Sequence, residues 1–110
     1  MNPHPGEVWL ADLGMVAKTR PVVIVSRHET NPPRALAIYV PLTTQKRGSR
    51  YEVPIPKLPF LREESVANVQ GVASLPLARL ESQLGRLPDE LLGKVKQALA
   101  YALEMDTRDI

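Results

Sequence analysis

The 110-residue chain contains no cysteine, which excludes a disulfide framework, a thiolate metal centre and a thiol nucleophile and fits a reducing compartment. No apolar run approaches the length of a membrane span. The opening Met1-Asn2-Pro3-His4-Pro5-Gly6 lacks the basic and apolar regions of a signal peptide. The expectation is a soluble, cytoplasmic protein of one domain over residues 1–110, small enough for a second subunit to help its stability.

Several kinds of chemistry are missing as well. His4 and His28 have no second ligand at metal spacing, and both read as surface residues. The six glycines are scattered, with no phosphate-cradling loop and no Gly-x-Ser-x-Gly elbow. No pair of carboxylates has the spacing of a glycosidase acid and base. There is no internal repeat and no low-complexity linker.

What is present is a β-rich pattern organised around Arg20-Pro21-Val22-Val23-Ile24-Val25-Ser26. Four consecutive β-branched apolar residues predict a strand buried on both faces. Pro21 lacks an N–H and forces Arg20 into an extended conformation, so the guanidinium is expected where the sheet opens to solvent. Before it, Glu7 to Leu13 read as a first strand, with Asp12 at its polar end. After the breaker-rich turn 28–33, Leu36 to Thr44 alternate cleanly, with Leu36, Ile38, Val40 and Leu42 on one side. Pro41 marks that strand as an edge or a bend, and Thr43 sits at its end.

Tyr51, Val53 and Ile55 predict a further edge strand, Leu58 to Leu61 a turn with an apolar plug, and Ser65 to Gln70 another strand. Gly71 reads as a bend and Val72 to Leu75 as a short continuation. From Pro88 onward, Leu91, Leu92, Val95, Ala98, Leu99, Ala102 and Leu103 form an apolar stripe at helical spacing, predicting a helix over about 88–104. Asp89 and Glu90 favour its N-terminal dipole. The fold class expected is mainly β (α+β).

Charge is unevenly spread. Residues 18–62 hold nine basic side chains (Lys18, Arg20, Arg27, Arg34, Lys46, Arg47, Arg50, Lys57, Arg62) against two acidic ones (Glu29, Glu52), although the net charge is only +2. Such a segment suits a polyanion such as nucleic acid, while charge alone favours solubilising loop charges.

Glu7 to Leu13, Arg20 to Ser26, Pro41-Leu42-Thr43, Ser65-Val66 with Gln70, Arg79-Leu80 and the terminal helix follow one another in the order of the MazF/PemK toxin family, which the chain resembles over nearly its whole length. The resemblance implies a compact, strongly curved antiparallel sheet or SH3-like barrel of the CcdB/MazF type with a C-terminal helix. It implies a homodimer acting as a metal-independent endoribonuclease on single-stranded RNA, without cofactor, neutralised by a cognate antitoxin. The family's catalytic arginine and threonine fall on Arg20 and Thr43. Its RNA-binding positions would take in Lys18, Thr19, Thr44, Gln45, Lys46, Arg47, Arg50 and Gln70. Tyr39 and Tyr51 are candidates for base stacking, with core or rim packing the favoured role.

The sequence also departs from the family pattern. The loop Gly14-Met15-Val16-Ala17-Lys18-Thr19 is short and carries no carboxylate to act as base, which leaves Thr19, His28 or water. A structural reading of the site stands beside the catalytic one: Arg20 in an ion pair with Asp12 or Glu7, and Thr43 bonded to backbone. Two functional alternatives follow, a non-catalytic relative that binds RNA or a partner, and a gyrase-inhibiting toxin. The latter needs C-terminal aromatics, whereas this chain ends Asp106-Thr107-Arg108-Asp109-Ile110.

Overall fold

The computed structural model describes residues 2–14 and 18–105. The middle of the 14–19 loop (15–17) and the terminal 106–110 lie outside the described residues. Among the described residues, seven strands are followed by one α-helix: β1 Glu7–Asp12, β2 Thr19–Ile24, β3 Leu36–Thr43, β4 Glu52–Ile55, β5 Ser65–Asn68, β6 Ala73–Pro76, β7 Leu80–Arg86 and α1 Asp89–Ala102. All pairings are antiparallel, and the sheet runs β4-β5-β3-β2-β1-β7, with β6 also on β3.

β2 occupies the centre that its β-branched run predicts. Val22, Val23 and Ile24 have no exposed surface, and the period of two sends them to different faces. Val23 joins Val8, Val40, Leu42, Ile55, Leu87 and Val95 in one core. Val22 and Ile24 join Ala11, Ala37, Leu75 and Leu80 in a second. Helix α1 covers the first face through Val95 and Ala98, with Leu91, Leu99 and Ala102 packed beside them, while Lys94 and Lys96 face solvent.

Gly6 (φ +94°) ties three elements together: its N–H donates to the Ile24 carbonyl at 2.8 Å, and its own carbonyl accepts from Leu87 N–H at 2.8 Å. A left-handed residue is needed there, and Leu92 Cδ2 would lie 3.2 Å from any added Cβ.

β3 is not an edge strand. It pairs with β2 on one side, and on the other it meets β6 over residues 36–39 and β5 over 42–43. Pro41 falls where the outer partner changes, so the bend is the correct reading: a residue without an N–H suits the gap between two ladders. The change also breaks the predicted inward face. Val40 and Leu42 are buried, but Leu36 and Ile38 are 42% and 46% exposed and flank a cavity of about 560 Å³.

Two other segments differ from expectation. The strand at 65 ends at Asn68, whose Oδ1 accepts from Gln70 N–H at 3.2 Å and starts a 3₁₀ turn over Val69–Gly71. β7 has no counterpart in the sequence reading. Glu81, Ser82 and Gln83 are all exposed, and two register shifts against β1 erase the alternation that would have marked a strand.

Candidate active site

Two strand ends build the site. Across β2 and β3 the ladder pairs Ile24 with Tyr39, Val23 with Val40 and Val22 with Pro41. Val22–Pro41 is the last pair of that ladder, and strand alternation puts Arg20 and Thr43, each two residues beyond it, on the face shared by Val22 and Pro41. On its other side Arg20 pairs with Ala11 of β1. Ala11 is fully buried and Arg20 is exposed, so the second core ends where the guanidinium meets water.

Thr43 is half-buried, and its Oγ1 accepts from Gln45 N–H at 3.1 Å. That bond uses an acceptor lone pair and leaves the hydroxyl proton free to donate. It also turns the chain out of β3. The loop that follows is held from within, because Glu52 Oε1 accepts from the N–H groups of Arg47 (2.9 Å) and Gly48 (3.0 Å), with Gly48 at φ +65°. Thr44, Gln45, Lys46 and Arg47 are therefore displayed on an ordered loop beside Thr43, all exposed.

Lys46 Nζ reaches Glu64 Oε1 at 2.9 Å. The hydrogen bond from Lys46, and then its charge, hold the Glu64 carboxyl below the usual glutamate range. Arg50 is turned elsewhere: its guanidinium sits 3.9 Å from the centre of the Tyr101 ring on α1, and Tyr51 packs against the first core and tilts against Tyr101. The structure thus separates Arg50 from its loop neighbours and gives Tyr51 the packing role. Tyr39 packs against the second core.

On the β1 side the hairpin closes through Leu13 N–H to the Lys18 carbonyl (2.8 Å) and Lys18 N–H to the Gly14 carbonyl (2.9 Å). This places Lys18 and Thr19 next to Arg20. Strand alternation turns Thr19, the partner of Asp12, to the opposite face. Asp12 Oδ1 accepts from Gly14 N–H at 2.8 Å, the strand-end role expected of it. Glu7 is engaged by Trp9 Nε1–H and His4 N–H.

His28 is not part of the site. It lies beyond the far end of β2, which alone spans about 13 Å between Arg20 and Ile24, and its ring stacks on His4 with centroids 3.8 Å apart. Gln70 approaches from the third side. It is exposed in the 3₁₀ turn, whose Gly71 packs so closely that an added Cβ would lie 2.7 Å from Pro41 Cγ.

The sequence reading missed two features. Lys57 and Arg62 line a groove of about 530 Å³ with Thr44, Lys46, Glu63 and Glu64; their only signal was the basic count over 18–62. Arg79 joins Asp12, Tyr39 and Ser74 around a smaller recess of about 260 Å³ on the face of the second core. No group of three or more metal-ligating side chains occurs among the described residues, and none of their helices is long and apolar enough to cross a membrane.

Comparison with known proteins accords with this arrangement. The family model described as PemK-like, MazF-like toxin of type II toxin-antitoxin system matches residues 4–103. The probable endoribonuclease MazF5 of Mycobacterium tuberculosis is 34% identical over 103 residues, covering 93% of this chain and 94% of its own. A mycobacterial endoribonuclease solved in complex with its cognate antitoxin superposes with a TM-score of 0.81 at 29% identity, over 93% of this chain and 95% of that one. The Mycobacterium tuberculosis toxin MazF-mt6 gives 0.79 at 28% identity, over 89% and 96%. With the family model spanning nearly all of it, this chain belongs to the PemK-like, MazF-like toxins of type II toxin–antitoxin systems.

Proposed function

We propose that the chain is an endoribonuclease toxin that cuts single-stranded RNA, messenger RNA included, in the cytoplasm and is neutralised by a cognate antitoxin. The observation that supports the reading is the β2–β3 register: alternation from the Val22–Pro41 pair gives Arg20 and Thr43 the same face, beside the exposed loop of Thr44 to Arg47. The relatives named as endoribonucleases, one of them solved with its antitoxin, support it.

RNA carries its own nucleophile. The 2′-oxygen attacks the adjacent phosphorus, the P–O5′ bond breaks, and the products are a 2′,3′-cyclic phosphate and a 5′-hydroxyl. The protein has to align the groups, move protons and stabilise charge on the phosphoryl oxygens. Arg20 offers a two-pronged set of donors to those oxygens and can assist the leaving oxygen. Thr43 donates its free hydroxyl proton. With Thr19 turned to the opposite face and His28 beyond the far end of β2, water is the remaining acceptor for the 2′-hydroxyl proton. Lys18, Lys46 and Arg47 hold neighbouring phosphates, and Thr44, Gln45 and Gln70 are within the same frame for base or sugar contacts.

The toxin works as a homodimer in this reading, and Leu36 and Ile38, exposed together on β3, offer it an apolar surface. Sedimentation of the wild type and of Ile38→Glu checks this: the variant should shift toward monomer.

The decisive experiment incubates purified protein with mixed-sequence single-stranded RNA in EDTA. Cleavage that survives chelation, leaves cyclic phosphate ends and is lost in Arg20→Ala is expected. Binding without cutting would instead identify a non-catalytic RNA-binding relative.

A further inference from the structure

We propose that the groove beside Thr44 is a second phosphate subsite for single-stranded RNA, with Lys57 and Arg62 as its contacts and the Lys46–Glu64 ion pair as a latch that the RNA backbone opens. The proposal rests on the endoribonuclease reading and extends it away from the scissile phosphate.

The groove starts at Thr44, the residue after Thr43, and takes in Lys46 of the same ordered loop. Its two outer cations are not on a loose loop. They flank the segment 58–61, where Leu58 and Phe60 pack on the first core and Leu61 is 8% exposed. Leu61 N–H donates to the Leu58 carbonyl at 2.9 Å, and the Phe60 ring lies against the backbone of Gly85. The plug fixes both flanks, so Lys57 and Arg62 converge on one groove instead of spreading over the surface.

Charge explains the latch. Within the groove Glu64 neutralises Lys46, and Lys57 with Arg62 outweigh Glu63. The pair is solvent-exposed, with side chains 49% and 68% accessible, and such pairs are held weakly. A phosphate can take the place of the Glu64 carboxylate at the Lys46 ammonium, exchanging one anion for another while gaining Lys57 and Arg62.

The test measures affinity for a mixed-sequence 2′-O-methyl RNA of about twelve nucleotides, a length within the range of single-strand sites and lacking the nucleophile, at several salt concentrations. The Lys57→Ala/Arg62→Ala variant should bind roughly tenfold more weakly and lose about 1.4 from the slope of log affinity against log salt, about 0.7 per released phosphate contact. Glu64→Gln should bind about threefold more tightly, since Lys46 is then unpaired. An unchanged slope in the double variant, or weaker binding by Glu64→Gln, overturns the proposal. Should the double variant fail to fold, Lys57→Gln and Glu64→Gln decide it by the same readings. Cleavage of unmodified RNA by the wild type is scored separately. Its absence would refute the endoribonuclease reading, whereas cleavage with an unchanged salt slope in the variant would refute the subsite alone.

Discussion

Val22 stands opposite Pro41 across β2 and β3, the last pair of that ladder on this side, and two residues beyond it on each strand, on the same face, come Arg20 and Thr43. That closing pair thereby sets which face the two candidate catalytic residues share. Any change that shifts the β2–β3 register by one residue would turn Arg20 and Thr43 to opposite faces.

The first prediction concerns that pair. Arg20→Ala should lower cleavage by about 100-fold or more, the usual cost of losing one donor to a developing oxyanion. Arg20→Lys should recover only part, because an ammonium cannot replace the two-pronged guanidinium. Thr43→Ser should retain activity and Thr43→Val should lose it, since the valine neither donates to phosphate nor accepts from Gln45 N–H. Initial rates on a fluorescent RNA measure all four.

Two glycines should respond in opposite directions. An added Cβ at Gly71 would lie 2.7 Å from Pro41 Cγ, so Gly71→Ala should destabilise by about 1–3 kcal/mol and displace the turn that carries Gln70. Gly93, inside α1, meets nothing within 4 Å of its would-be Cβ apart from its own neighbours along the helix. Gly93→Ala should therefore stabilise by up to about 1 kcal/mol, read as a rise of roughly 4 °C in thermal melting.

Gly85 meets the Phe60 ring, which an added Cβ would approach to 2.2 Å. Gly85→Ala should push the ring off the first core and lower stability by about 1–3 kcal/mol. Phe60→Leu in the same background should recover part of the loss, a coupling that denaturant unfolding of the single and double variants measures.

The Lys46–Glu64 pair predicts a pH dependence. Because Lys46 lowers the Glu64 pKa in the folded protein, the pair's contribution is complete above the ordinary glutamate range and disappears as pH falls through the lowered value. In Lys46→Ala the Glu64 titration should move up to the ordinary range. Carboxyl NMR titration of both proteins checks the direction.

Arg50, held over Tyr101, should matter little for RNA. Arg50→Ala is expected to leave the salt slope of RNA binding unchanged, while Arg47→Ala reduces it by about 0.7.

The sequence by itself determined the central strand, the terminal helix and the β-rich class, and through the family resemblance it proposed Arg20 and Thr43 as catalytic. The elements rest on local chemistry: β-branching, helical spacing, and a proline that holds Arg20 extended. It also located the polar end of β3, because Thr43 closes a clean alternation.

Tertiary structure decided what depends on pairing between distant segments. Pro41 became a bend inside a central strand because β5 and β6 divide its outer edge. β7 became a strand because β1 supplied a backbone ladder that bulges had hidden from the alternation. Arg50 went to α1, His28 to the far end of the sheet, and Lys57 and Arg62 into the groove with Lys46. Those placements turn on which surfaces the two cores leave uncovered, and periodicity along a single chain does not encode that.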